Sequence, residues 1–378
     1  MTPSHKSNPI SILRLTRSLG LGLTLGLGLS LVTPLKAQQT DVLLHEKTKA
    51  TWQILDSSLV FNHAPFASCH ASTLTMTADG RLLIACFGGS HEGAEDVGIW
   101  VTSRSGPGVY TGPVQVATGD PDASTSGGAR VPLWNPVLYT RKDGSILLYY
   151  KKGSSPRTWK GYYKISRNNG QDWSHAQALP AGILGPIKNK PVPGPGSVLL
   201  CPSSVEQENG KWYAAVEITK DGEHSWSSYP VDSANSWGVI QPTILSYDHG
   251  KRYQALLRSN QNYILQSWSG DALHWSKLQK TALRNPNSGI DAVTLKDGTQ
   301  LLVYNPAGSG KNWWDGRAHL NVAISMDGIN WQDILMLEAH DKGEYSYPAV
   351  IQAPNGHVFI SYTYDRQNIK LIELVKRR

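Results

Sequence analysis

The stretch "SMDGINW", Ser325–Trp331, recurs along the chain in looser copies. "SRNNGQDW" (Ser166–Trp173), "TKDGEHSW" (Thr219–Trp226) and "SGDALHW" (Ser269–Trp275) keep a hydroxyl residue, an Asn or Asp, and a closing Trp. "SRSGPGVY" (Ser103–Tyr110) is a weaker copy that closes on Tyr. The closing aromatics stand roughly 50–60 residues apart, and self-similarity at such a period signals a repeat architecture. Asn or Asp in such a stretch fixes a tight turn by accepting from nearby backbone amides. The Trp brings a large apolar surface to bury between strands.

A second signal precedes these boxes. "TADGRLLIA", "RKDGSILLYY", "QENGKWYAAV", "YDHGKRYQALL", "LKDGTQLLVY" and "APNGHVFISY" each set a polar-Gly pair between apolar runs, with glycines at Gly80, Gly144, Gly210, Gly250, Gly298 and Gly356. Asn-Gly and Asp-Gly between such runs mark β-hairpins. Six units of about four short strands predict an all-β fold, a six-bladed β-propeller. "TWQIL" (Thr51–Leu55) echoes "NWQDIL" (Asn330–Leu335), so the N-terminal end is expected to supply the outer strand of the last unit.

In a propeller the strand before each such turn is expected innermost, with its start facing one end of the ring. Nine residues before the glycines stand Ala71, Asn135, Cys201, Gln241, Gly289 and Tyr347, within "CHAST", "WNPV", "CPSS", "QPT", "SGID" and "YSYP". Polar residues gather at this register, and the returning strands bring Lys152, Glu217, Arg258 and Asn305 to the same end. Such convergence is the default candidate site. "GEYSYPAVIQAPNG" (Gly343–Gly356) is its sharpest instance, because two phenols and a carboxylate at a buried strand start are costly without partners or a task.

The repeated box resembles the Asp-box, or BNR repeat, and the ring of six resembles the sialidase (neuraminidase) superfamily, as a divergent member. The likeness covers nearly all of the chain after residue 37. It implies a six-bladed propeller of sialidase type, in which three arginines hold the substrate carboxylate. A Tyr paired with a Glu is then the nucleophile and an Asp the general acid/base. A phenol suits an anomeric carbon that bears a carboxylate, where an anionic nucleophile is repelled.

Carried onto this chain, the resemblance implies Tyr347 as nucleophile, with Glu344 and Tyr345 beside it, and Arg258 and Arg317 on the carboxylate. The acid loop "GGSHEGAEDVGIW" offers Glu92 and Asp96 rather than a single Asp. Two positions depart from the pattern. His70 stands where the first arginine is expected, and Gln241 where the glutamate partner of the nucleophile is expected. Glu217 and Asp291 are the carboxylates at hand as a replacement base. Asn135, Lys152, Lys188 and Lys190 complete the expected substrate-binding set, and Trp159, Trp313 and Trp314 suit stacking on a sugar ring.

Composition bounds the remaining possibilities. Lys6, Arg14 and Arg17 precede "SLGLGLTLGLGLSLV", and "TPLKA" follows, the order of a secretory signal peptide over residues 1–37. The apolar run is shorter than the ~20 residues of a membrane span, so export to the periplasm or cell exterior is expected, with no stable anchor after cleavage. The segment holds four Lys/Arg, so the formal charge of +7 becomes 7 − 4 = +3 for residues 38–378. That balance gives no reason to expect nucleic acid as a partner. Of the three cysteines, Cys69 and Cys86 come out roughly 13 Å apart on a regular hairpin, too far for a disulfide, and buried thiols are expected. No metal or nucleotide motif stands in the sequence, nor a Gly-x-Ser-x-Gly elbow, so no cofactor is expected. The implied activity is exo-glycosidase hydrolysis of a terminal acidic sugar: sialic acid, or a related keto-acid or uronate. Two alternatives stay open, a uronate-directed lyase using His70 and a Tyr, and a glycan-binding propeller without catalysis.

Overall fold

The computed structural model describes residues 52–121, 128–232, 234, 236–312 and 314–377. The expected targeting segment, residues 1–37, and Trp313 lie outside them. The described residues form six antiparallel sheets arranged as a six-bladed propeller. Blade one runs Ser68–Met76, Leu82–Gly89 and Gly98–Gly106, with Val109–Tyr110 and Val114–Ala117 on its outer side. Blade two runs Leu133–Thr140, Ile146–Lys152, Lys160–Ser166 and Gln177–Ala178. Blade four is Val239–Tyr247, Arg252–Ser259, Tyr263–Ser269 and Gln279–Arg284, and blade five is Asp291–Thr294, Gln300–Tyr304, His319–Ser325 and Gln332–Ala339. Blade six is Tyr345–Gln352, Val358–Tyr364 and Asn368–Lys376, and its outermost strand is Trp52–Leu59 from the other end of the chain. The ring is therefore closed by pairing of the two ends, as the Thr51–Leu55 echo implies.

Burial follows position in the blade. Leu82–Gly89 is buried at every residue, because neighbouring blades cover both its faces. It therefore reads as a continuous apolar run rather than an alternating one. Gln332–Ala339 and Trp52–Leu59 lie at blade rims, and most of their residues are exposed or half-buried. The boxes do the turning their composition implies. Asp327 Oδ1 accepts from Ile329 N and Asn330 N, both at 2.8 Å, and Ser325 Oγ accepts from Gly328 N at 2.9 Å. Asn168 does the same work uncharged, accepting from Asp172 N at 2.9 Å. A Cβ on Gly328 would meet Tyr247 Oη of the preceding blade at 2.2 Å, so each side of this contact fixes the other.

Blade three departs from the expected register. Its order is Val192–Pro193, Leu199–Glu206, Trp212–Thr219, Ser227–Pro230. The Asn209-Gly210 turn thus joins the second and third strands, and the box follows the third strand as it does in the other blades. Cys201 is therefore not at the start of an inner strand. The innermost segment is "PIKNKPVP", Pro186–Pro193, which turns through Gly196 (φ 63°). Three prolines, which cannot donate to a ladder, hide it as a strand in the sequence.

Four inner strands share one irregularity. Ala71, Asn135, Gln241 and Tyr347 have φ of 54°, 40°, 51° and 56°. In each case the register with the second strand slips at that point, between His70/Thr73, Trp134/Val137, Ile240/Thr243 and Ser346/Ala349. These are β-bulges, which re-aim a side chain at the cost of local strain. The bulge in blade one also corrects the cysteine distance. It pairs Cys69 with Gly88, two residues from Cys86, and both thiols are buried and free in the same apolar cluster.

Candidate active site

Tyr347 stands at the bulge of blade six with its ring against His70, centroids 4.1 Å apart. A Cβ on Gly289 would lie 3.1 Å from Tyr347 Cδ2, so the ring uses space that glycine leaves. Tyr347 Oη accepts from Arg258 Nη1 at 2.5 Å and from Gln241 Nε2 at 3.1 Å. Arg258 Nη1 also donates to Gln241 Oε1 at 3.1 Å, and its Nε to Asn287 Oδ1 at 2.8 Å. The backbone oxygen of Asn287 accepts from Arg317 Nη2 at 3.2 Å. The loop "RNPNSGID" thus aligns two arginines through a single residue. Among the described residues, no carboxylate hydrogen-bonds the Tyr347 phenol.

Glu344 sits between two cations. Its Oε1 accepts from Arg317 Nη1 at 2.8 Å and its Oε2 from Arg366 Nε at 2.7 Å. Burial opposes the charge on Glu344, but Arg366, Arg317 and Ser346 outweigh it and hold the carboxyl below its usual range. Arg366 Nη1 also meets Glu92 Oε2. Burial works against the Arg366 charge too, and Glu344 and Glu92 more than offset it. A cavity of about 700 Å³ opens beside this pair, lined among others by Trp314, Gly316, Lys342, Glu344 and Arg366.

Several expected site residues stand elsewhere or do other work. His70 is 2% exposed; burial first, then Arg366, Arg317, Arg258 and Lys188, press its pKa well below the usual imidazole value. It is a neutral support for the Tyr347 ring, hydrogen-bonded to Thr363 Oγ1 at 2.8 Å, rather than a group open to substrate. Glu217 is no partner of Tyr347: it is buried in the third strand of blade three and accepts from Leu184 N and Gly185 N at 3.2 and 2.6 Å. Burial pushes its pKa up to about 7 against those two donors. Asp291 is consumed by Lys190, Thr243 Oγ1 and Val350 N. Lys188 is buried under the Tyr347 ring, and Lys190 is spent on Asp291 and Ala292 O.

Lys152 donates to Asp120 O at 2.6 Å in a separate cavity between blades one and two. Asn135 is buried at its bulge. Asp96 folds back onto Ser90, whose hydroxyl and amide hold its pKa below the usual range, while Glu92 extends to Arg366. Tyr345 turns away to His340 and Asp365. Trp159 covers Trp134, and Trp314 is half exposed on the 700 Å³ cavity.

The structure also brings in Arg366, which the register does not reach. Counting forward from Gly356 stops at Tyr364, and the turn Asp365-Arg366 uses two left-handed residues, φ 50° and 54°, without a glycine. An arginine two positions past a strand end is the one signal in the sequence that points to it, and its pairing with Glu344 and Glu92 is visible only in the fold.

No curated protein sequence matches the chain. Among solved structures, a protein of unknown function from Dyadobacter fermentans superposes with a TM-score of 0.70 at 16% identity, covering 86% of this chain and all of that one. The Hadza microbial sialidase Hz136 gives 0.67 at 16% identity over 82% of this chain and 66% of that one. Trypanosoma rangeli sialidase in complex with sialic acid gives 0.63 at 13% identity over 86% and 58%. At these identities the likeness is one of fold, a sialidase-type six-bladed propeller. The sequence profile of the BNR repeat-like domain matches residues 80–360, and the chain belongs to that family.

Proposed function

We propose that the chain is an exported exo-glycosidase that releases a terminal acidic sugar from a glycan. The observation that carries the reading is the cluster itself: Tyr347 Oη in the grip of Arg258, with Arg317 and Arg366 beside it around Glu344. Arg258, Arg317 and Arg366 hold the sugar carboxylate by charge-assisted hydrogen bonds. Tyr347 Oη bonds to the anomeric carbon, its phenol proton passing to water because no base among the described residues touches it, while Glu92 in its protonated form gives its proton to the departing glycan oxygen. A carboxylate arriving at Arg366 takes the place of Glu92 there and frees that side chain for proton transfer. Water then cleaves the tyrosyl–sugar bond, with Glu92 taking up its proton and the released Tyr347 oxygen regaining one from solvent.

Gln241 supports a second reading. A neutral amide where a base is wanted fits a glycan-binding propeller without turnover. The lyase using His70 has less support, because a neutral, buried imidazole under the Tyr347 ring reaches no substrate. Incubation with sialyl, Kdo and uronate glycosides, followed by mass spectrometry and ultraviolet absorbance, separates the three. A free acidic sugar released by the native protein, with release cut at least about 10³-fold by Tyr347→Phe, is the expected result. Saturable binding without product selects the binding module, and an unsaturated product selects the lyase.

A further inference from the structure

The innermost segment of blade three crosses to the ring axis and is tied to its neighbours almost residue by residue. Pro186 O accepts from Lys151, and Ile187 N donates to Pro202 O at 2.9 Å. Beyond that point the side chains reach other blades. Asn189 Nδ2 donates to Gln241 O and Pro242 O of blade four at 3.2 and 2.9 Å. Lys188 Nζ donates to Asn189 Oδ1 at 2.8 Å, to Ile290 O of blade five at 2.9 Å, and to Pro348 O of blade six. Lys190 Nζ binds both Asp291 oxygens at 3.0 and 2.9 Å.

The acceptors are not ordinary ladder carbonyls. Gln241, Pro242 and Pro348 lie at two of the bulges, where register slippage takes backbone groups out of the ladder. A buried carbonyl left without a donor is destabilising, so the bulges that aim Gln241 and Tyr347 need donors brought from elsewhere. Lys188 and Asn189 supply them. Lys188 also lies against the reacting side chain, with Nζ 5.7 Å from the Tyr347 ring centroid. A Cβ on Gly289 would sit 3.1 Å from both Lys188 Cε and the Tyr347 ring.

We propose that Lys188 is a positioning residue for Tyr347, fixing the bulge at Tyr347-Pro348 and the ring above it from across the axis. The proposal rests on Tyr347 as the reacting group of the preceding section, but its geometry can be read without turnover. Three acceptors surround Lys188 Nζ, so the side chain is spent inside the protein and does not bind substrate. The neighbouring Lys190 makes as many contacts but none with Tyr347, which makes it the control.

The test uses full-length protein labelled with 3-fluorotyrosine, the Tyr347 ¹⁹F line being the one lost in Tyr347→Phe. Lys188→Met is expected to move that line by more than its width, and Lys190→Met to leave it in place. On a substrate found in the glycoside panel, Lys188→Met is expected to lower kcat roughly 10²-fold, as a misplaced reacting group does, at nearly unchanged KM. A folded Lys188→Met with an unmoved Tyr347 line overturns the proposal, as does an equal shift in Lys190→Met. If Lys188→Met does not fold, Gly289→Ala decides: the added methyl wedges between Lys188 and the ring, so an unmoved line there overturns it. If no glycoside is turned over, the function proposed above fails, while the ¹⁹F comparison still decides the placement.

Discussion

Tyr347 Oη accepts from Arg258 and Gln241, two donors and no base. This arrangement can stabilise negative charge on the phenol oxygen but does nothing to carry its proton away. Gln241→Glu keeps an oxygen for Arg258 and places a carboxylate where the amide now donates. If proton removal limits the reaction, this variant raises kcat by up to about 10²-fold, the usual scale of general-base assistance. Steady-state kinetics on the released sugar would show it, and an unchanged or lower kcat would mean that the phenol proton is not the obstacle.

The same residues show what was legible in the sequence. Tyr347 and Gln241 are reached by counting back from turn glycines, because the bulge recurs at a constant distance from them, and Arg258 by counting forward along the returning strand; Arg317 comes only from the family resemblance. Arg366 is not reached, since Asp365-Arg366 makes its turn without glycine. Lys188 is legible as a polar residue near the axis but not as a buried one, because burial depends on which strands it crosses.

At the scale of the element, the boxes carry a pH signature. Asp327 accepts from Asn330 N and Ile329 N, which hold its carboxyl far below the usual range. Asp271 is lowered by His274 and its backbone amides. For Asp221, burial opposes the charge, and the amides of His224 and Glu223 outweigh it. A carboxyl whose folded pKa is depressed adds stability that is fully present above its unfolded value, about 3.9. It is lost as pH falls through the folded value. The melting temperature of the native protein should therefore fall more steeply below pH 4 than that of Asp327→Asn. Asn168 shows that the turn itself tolerates a neutral amide. Asp327→Ala, which removes the acceptor altogether, should cost about 1 kcal/mol at neutral pH, the scale of a lost capping bond, read from the urea midpoint.

Blade three marks the limit of element-scale reading. Its Asn-Gly turn is genuine but belongs to the outer hairpin, whereas the inner turn "GPGS" follows a proline-broken segment that carries no strand pattern. The register that works in the other blades therefore placed Cys201 and Glu217 at the site end, and the structure sets them elsewhere.

For the molecule as a whole, ring closure depends on contacts between the first and last blades. Trp52–Leu59 pairs with Asn368–Lys376, and Arg104 of blade one joins Asp56 and Glu373 of those two strands at 2.9 and 2.6 Å. Burial opposes the Arg104 charge, and the two carboxylates outweigh it. Arg104→Ala takes the cation from Asp56 and leaves Glu373 with His357 Nδ1 alone, at 2.6 Å, in a mostly buried setting. A loss of about 3 kcal/mol is expected, seen as a lower urea midpoint at unchanged slope, and a loss under about 1 kcal/mol would mean that the strand pairing alone closes the ring.

Closure matters for function because the site is assembled from blades one, four, five and six: Glu92, then Gln241 and Arg258, then Arg317, then Glu344, Tyr347 and Arg366. The proposed reaction turns on a covalent bond between Tyr347 and an acidic sugar. The direct measurement is intact-protein and peptide mass spectrometry after incubation with an acidic glycosyl fluoride carrying a second fluorine on the ring to slow turnover. A single added glycosyl mass on the peptide containing Tyr347, absent from Tyr347→Phe, is the predicted result. Release of free sugar with no adduct on Tyr347, or with an adduct on another residue, would contradict it.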